Sequence, residues 1–410
     1  MKKIVLILII FIAIQVSSCD KENLSERQEL FFTDSKKASG LIEADTKFGF
    51  DLFRQMLEMK EAPENIMISP LSVAMALGMT YNGAEGETKT AFEETLRLNG
   101  ITRQEINDIH KTLLFYLLSA DPDVDLDIAN SIWYRKDFNV LQSFIESNRI
   151  HYQAEVRSLD FSKPEAKDII NGWVSAKTHN KVNGIIDNIS AETVMFLINA
   201  IYFHGTWTYS FEKGSTYLSD FTKEDQSVEQ VSYMLMKGRM NYLTNDIFSA
   251  IELPYGNENF SMVFILPGDG KSISDIAASM NINNYMALTD GFIKKEINIH
   301  LPKFKFGYKE LLNQPLADMG LSIAFSGLAD FTGINPDGGL YISKVIHQSF
   351  IDVNEKGTEA AAATVVQIDR TSIAPEITVF KADKPFLFFI REKSSNAVLF
   401  LGKVGHPVYN

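Results

Sequence analysis

The stretch Glu355-Lys356-Gly357-Thr358-Glu359-Ala360-Ala361-Ala362-Ala363-Thr364-Val365-Val366-Gln367-Ile368 carries two conflicting local preferences. Its alanines favour helix, whereas the β-branched residues that follow favour strand. Read with period two, Thr358, Ala360, Ala362, Thr364, Val366 and Ile368 form one small or apolar face, and Glu359, Gln367 and Asp369 lie on the other. A segment patterned in this way can enter a sheet as a strand with one face buried and one wet. Composition alone would make it an alanine-rich surface helix, so the surrounding chain has to decide.

Downstream, Thr378–Phe380, Phe386–Ile390 and Ala397–Leu401 read as strands, the last two forming a hairpin about Ser394-Ser395-Asn396. Upstream, Phe196–Phe203, Ile251–Leu253, Phe260–Leu266, Glu296–Leu301 and Leu340–Val345 also read as strands, and Asp123–Ile128 alternates like a half-buried one. The first third is helical in period. Phe48, Leu52, Phe53, Met56 and Leu57 make one stripe, Val73, Leu77 and Thr80 follow the start signal Ser69-Pro70, and Ile109–Leu118 forms a third candidate. Interspersed helices and hairpins predict an α+β protein with large, mostly antiparallel sheets. The aromatics Phe386, Phe388, Phe389 and Phe400 belong in its core.

With 45% hydrophobic and 22% charged residues in 410, the chain has the composition of a globular protein with ample core. Its net charge of −13 opposes binding to phosphate backbones, which excludes nucleic acid as a partner. A single cysteine excludes an internal disulfide and a cysteine-based zinc cluster. Spaced aspartates near residue 121 suggest a calcium loop, but the glycine and glutamate it needs are replaced by Leu126 and Ile132 counted from Asp121, or by Ile128 and Tyr134 counted from Asp123. Gly320-Leu321-Ser322-Ile323-Ala324 fails as a nucleophile elbow at its last position, and none of the seven histidines stands in an H-E-x-x-H motif. Gly268-Asp269-Gly270-Lys271-Ser272 lacks the first glycine of a phosphate loop, Ile265 standing there, and reads as a strand-to-helix turn. The residues therefore point to no enzyme, no metal and no cofactor.

Met1-Lys2-Lys3 followed by the apolar run Ile4–Ile14 reads as a signal peptide, too short to span a membrane. Val16-Ser17-Ser18-Cys19 then resembles a bacterial lipobox, which makes residues 1–18 a lipoprotein signal and Cys19 the acylated N-terminus. The mature chain would carry −15 and be held by lipid rather than charge. Residues 19–40 read as a polar tether and 41–410 as one unit, with no internal repeat. The expected destination is the cell envelope after export through the inner membrane, at the periplasmic or surface face of the outer membrane.

The opening stretch closely resembles the hinge of the reactive-centre loop of inhibitory serpins, and the resemblance extends over nearly all of residues 41–410. Six further motifs stand in the same order: Asn65-Ile66-Met67-Ile68-Ser69-Pro70-Leu71-Ser72, Asn199-Ala200-Ile201-Tyr202-Phe203-His204-Gly205-Thr206-Trp207, Leu301-Pro302-Lys303-Phe304, Ala329-Asp330-Phe331, Asp383-Lys384-Pro385-Phe386-Leu387-Phe388 and Leu399-Phe400-Leu401-Gly402-Lys403-Val404. The resemblance implies a single domain of three β-sheets and about eight or nine helices, acting as a monomer. It also implies a suicide inhibitor of serine proteases, with cysteine proteases as a second class. Serpin loop insertion is itself a well-known instance of strand addition, in which a protease cleaves an exposed loop and the loop then enters the main sheet.

Carried onto this chain, the loop spans about residues 355–376 and its hinge comprises Glu355, Gly357, Thr358, Glu359, Ala360, Ala361, Ala362, Ala363 and Thr364. Side chains that cross a narrow gap between strands must be small, as Thr358, Ala360 and Ala362 are, and Gly357 supplies a pivot. Ser69, Ser72, Asn199 and His347 match the polar cluster beneath the sheet that must part, and Trp207 matches the aromatic where insertion begins. The family's spacing of about 16 residues from the hinge glutamate places the cleaved bond at Thr371-Ser372, suited to elastase- or subtilisin-like proteases. The alternative is Arg370-Thr371, suited to trypsin-like ones.

Overall fold

Ser35 opens the first helix by accepting a hydrogen bond from the Ala38 N–H, and from there the chain is helical for 23 residues. The computed structural model describes residues 35–59, 64–182, 184–358 and 378–409. In chain order the elements are α1 (Lys36–Glu58), β1 (Asn65–Ile68), α2 (Pro70–Tyr81), α3 (Gly86–Thr95), α4 (Arg103–Leu117), β2 (Val124–Arg135), α5 (Gln142–Tyr152), β3 (Glu155–Leu159), α6 (Glu165–Lys177) and β4 (Met195–Thr206). There follow β5 (Tyr217–Thr222), β6 (Val228–Thr244), β7 (Phe248–Tyr255), β8 (Phe260–Pro267), α7 (Ile273–Ser279), α8 (Ile282–Asp290), β9 (Ile293–Pro302), β10 (Phe304–Leu311) and α9 (Asn313–Leu316). The remaining strands are β11 (Lys344–Asn354), β12 (Gly357–Thr358), β13 (Thr378–Lys381), β14 (Phe386–Glu392) and β15 (Val398–Val404).

This is the expected α+β architecture, with nine α-helices among the described residues. One sheet has six strands in the order β10-β11-β12-β4-β2-β3. The other has nine, β1-β15-β14-β8-β7-β6-β9-β13, with β5 added to β6. Two of the three expected sheets are thus one continuous ladder, because the 17-residue β6 pairs with β5 and β9 and then, at Asn241–Thr244, with β7. A strand this long twists along its length, so its two ends serve differently oriented groups of neighbours.

The expected tether boundary at residue 40 does not hold. Residues 36–40 belong to α1, and Ala38 is fully buried. The polar run hid the helix start, which only the Ser35 cap marks. Leu340–Val345 also shifts: pairing starts at Lys344 and continues to Asn354. α4, the helix expected at Ile109–Leu118, begins earlier than that apolar stripe, at Arg103, where Thr102 and Glu105 exchange side-chain and backbone hydrogen bonds.

The core lies between the two sheets and under α1 and α2, α2 being buried along its whole length. Phe386, Phe388, Phe389 and Phe400 are all within it. A second, smaller cluster sits on the opposite face of the six-stranded sheet. There Ile170 and Val174 of α6, with Ile185 and Ile186 from the segment that follows, cover Trp133 of β2 and Ile198 of β4.

Candidate functional site

In the six-stranded sheet β11 and β4 run parallel, paired from Lys344↔Phe196 to Gln348↔Ala200. Beyond that point the ladder stops. Ser349–Asp352 and Ile201–His204 face each other without pairing, and contact resumes only through β12. Gly357 and Thr358 pair with Asn354 and Val353 on one side and with Thr206 and Gly205 on the other. The main sheet is thus closed at both ends and open between them among the described residues.

The hinge's first residues are therefore already in the sheet rather than in an exposed loop, which corrects the placement of residues 355–358. Thr358 is 2% exposed and its hydroxyl lies 2.7 Å from the Tyr255 hydroxyl on the facing sheet. It points inward, as period two requires. Gly357 has φ +147°, and a Cβ there would stand 2.1 Å from the Gly205 carbonyl oxygen, so both conformation and space demand glycine. Its role is close packing as well as a pivot. Glu355 is buried too, paired with Lys303 at 3.0 Å and accepting from Thr216 at 2.8 Å. Burial works to raise its pKa, but hydrogen bonds from its own backbone, Thr216 and Lys303 prevail and hold the carboxyl below its ordinary value.

Trp207 holds the same point from the other side. Its indole N–H donates to the Asn354 carbonyl at 3.0 Å, its backbone N–H donates to the Lys356 carbonyl, and its ring stacks on Tyr255 at 4.3 Å. Trp207 thus ties the end of β4 to the turn that reverses the chain into β12.

Six residues further back along β4, the four residues expected to cluster do meet. His347 and Asn199 are register partners on β11 and β4. The Asn199 amide oxygen can only accept, so the His347 Nδ1–H donates to it at 2.8 Å, leaving Nε2 to accept from the Ser69 N–H at 3.2 Å. The Asn199 amide donates to the Ser72 carbonyl at 2.9 Å and to the Ser72 hydroxyl, and Ser69 caps α2 through the Ser72 N–H at 3.3 Å. One polar cluster therefore links both strands of the opening to the first turn of α2. Asn130 of β2 also accepts from Asn199 at 2.8 Å, and the Ser349 hydroxyl donates to the Met67 carbonyl. Sequence reading missed these two, although a buried polar residue within an apolar strand is a signal for such a network. Tyr255, the partner of both Thr358 and Trp207, gave no local signal at all.

Burial pushes the His347 pKa down to about 4. The unfolded chain takes its proton near 6.5, so this residue's contribution to stability is intact above that pH and is lost as pH falls toward 4. His347→Gln removes the titration. The wild type's stability relative to that variant should drop by about 3 kcal/mol between pH 7 and pH 4. Parallel denaturation profiles for the two proteins would contradict a neutral, buried ring.

Glu359, Ala360, Ala361, Ala362, Ala363, Thr364, Arg370, Thr371, Ser372 and Cys19 lie outside the described residues. No helix among the described residues is long and apolar enough to cross a membrane.

Residues 43–407 match the family model for serpins, described as serine protease inhibitors. The horse (Equus caballus) leukocyte elastase inhibitor is 36% identical over 388 residues, covering 90% of this chain and 99% of that protein. Among solved structures, the thermophilic serpin Tengpin in its native state superposes with a TM-score of 0.82 at 32% identity, covering 89% of this chain and 94% of its own. Human thyroxine-binding globulin complexed with thyroxine reaches 0.83 at 30% identity, covering 91% and 100%.

Proposed function

The chain belongs to the serpin family, and from that premise we propose that it inhibits serine proteases as a suicide substrate, with cysteine proteases as a second target class. Serpins as a family are protease inhibitors and not enzymes. The observation that carries the reading is the seat of Gly357–Thr358 between β11 and β4, above an unpaired stretch of both strands. A strand already started at the top of the slot can be continued by the chain that follows once the Lys344–Gln348 ladder with Phe196–Ala200 parts below it, and Ala360 and Ala362, which share the period-two face of Thr358, are small enough to enter.

The protease serine would attack the carbonyl of Thr371, expel the amine of Ser372 and form an ester. Insertion would then carry the acylated enzyme away with the loop. Deacylation requires an aligned triad and oxyanion hole, and a displacement of about 1 Å can cost about 100-fold in rate, so distortion preserves the ester. The serpin contributes the strand and the slot, and the protease does the chemistry.

Incubation with elastase-, subtilisin- and trypsin-like proteases tests this. A complex that survives denaturant supports it, and full recovery of protease activity on dilution overturns it in favour of a binding protein, as thyroxine-binding globulin is for thyroxine. Elastase-like targets suit Thr371, in keeping with the relatives' inhibition of leukocyte elastase. Sequencing the released C-terminal peptide distinguishes the bonds: Ser372 first supports Thr371-Ser372, and Thr371 first supports Arg370. In the second case Arg370→Ala should abolish trapping of trypsin-like enzymes and spare elastase-like ones.

The proposed location is the cell envelope, through lipid on Cys19. Native protein should enter the detergent phase on partitioning and Cys19→Ala should move it to the aqueous phase. Equal partitioning of the two proteins would remove the anchor from the reading.

A further inference from the structure

The outer face of the six-stranded sheet carries a group of metal-ligating side chains that the inhibitory reading does not use. Asp125 and Asp127 are two apart on β2 and so project from one face, the face on which Trp133 meets the covering cluster. Their register partners on β4 are His204 and Tyr202. His179, in the segment after α6, comes down on them from above: its Nε2 lies 2.8 Å from an Asp127 carboxylate oxygen, and its ring packs on Tyr202 at 4.4 Å between centroids. One donor atom each from Asp125, Asp127 and His179 falls within 4.8 Å of the others.

We propose that Asp125, Asp127 and His179 form a binding site for a divalent transition-metal ion of the zinc class. Two carboxylates and one imidazole are a borderline donor set suited to Zn²⁺, with water completing a tetrahedron. An ion about 2.1 Å from each donor requires them about 3.4 Å apart, so His179 and Asp127, now 2.8 Å apart, would open slightly while Asp125 draws in, a small rearrangement for side chains at the surface. The packing of His179 on Tyr202 orients its ring, and the two carboxylates supply the charge that a dication needs. Two cationic or titratable neighbours face the site. His204 is held below its ordinary pKa, by burial first and then by Lys181 and His179, while Asp125 acts in the opposite direction. The Lys181 ammonium lies over the Phe350 ring of β11, 5.8 Å from its centroid.

The location gives the site a consequence that rests on the inhibitory reading. His179 and Lys181 belong to the segment that leads into the covering cluster, and Asp127 belongs to the sheet beneath. A metal ion would join cover to sheet beside the unpaired stretch of β4, and a strand entering there has to displace or slide past that cover. Bound metal should therefore slow insertion and let more cleaved serpin escape as substrate.

The test uses the full chain and Zn²⁺ itself. Titration by calorimetry and by competition with a chromophoric chelator should show one site, weakened more than tenfold by His179→Ala and by Asp127→Asn. Both positions are exposed enough that the variants should melt with wild type in the presence of EDTA. Equal Zn²⁺ affinity in wild type and both variants overturns the site. With the inhibited protease at hand, added Zn²⁺ should raise the moles of wild-type serpin consumed per protease trapped at least twofold and leave His179→Ala unchanged. Binding without that change overturns the clamp while the site stands, and a wild type that traps no protease under any condition indicts the inhibitory reading rather than the metal site.

Discussion

Thr358→Arg is expected to turn the protein from an inhibitor into a substrate, lowering the fraction of cleaved serpin that retains protease at least tenfold. Thr358 is buried between β11 and β4 before any protease arrives, with its hydroxyl against Tyr255. Arginine there would place a guanidinium among Tyr255, Trp207 and the facing sheet, and an unpaired buried charge costs several kcal/mol. The hinge would leave the sheet rather than accept that cost. Insertion would then have to start without its foothold and carry the same charge through the gap, while hydrolysis of the ester proceeds. Cleavage should remain at the wild-type bond with active protease recovered, as denaturing gels and a stoichiometric titration would reveal. Because the substitution touches the intact protein as well, Thr358→Val serves as control. It keeps the shape and loses one hydrogen bond worth about 1 kcal/mol, so it should trap protease nearly as well as wild type. Trapping by Thr358→Arg at wild-type stoichiometry would end the insertion reading for this chain.

The second large effect concerns cleavage itself. Ser349–Asp352 and Ile201–His204 lack a partner strand between them among the described residues, although both belong to a sheet otherwise continuous from β10 to β3. A cleaved loop filling that slot would pair with both edges. Roughly ten new ladder hydrogen bonds at about 1 kcal/mol each, together with burial of the small inward face, should raise the melting temperature by about 10 °C or more. Differential scanning calorimetry of intact and specifically cleaved protein measures this directly. An unchanged melting temperature after clean cutting in the loop would mean that the slot does not fill, and the binding-protein reading would replace inhibition.

These two expectations depend unequally on sequence and structure. Local periodicity and start signals were sufficient for the helices at residues 48–57 and 70–80 and for the hairpin at 386–401, because each is defined by neighbours a few residues away. That Gly357 and Thr358 can join a sheet as a strand was legible from the alternation of small and polar side chains that begins there. The polar cluster of Ser69, Ser72, Asn199 and His347 could be named from motifs, and it assembles as named because β4 and β11 bring positions 148 residues apart into register. Tertiary structure alone decided that β6 joins two groups of strands, that α1 starts at Lys36, and that Gly357 and Thr358 are already seated in the sheet. It alone placed Tyr255 under Thr358 and His179 over Asp127. Side-chain period tells which face of a segment can be buried. Which strand lies beside it, and which residue lies beneath, follows from non-local pairing whose partners are separated by long stretches of chain, and no local pattern encodes that choice.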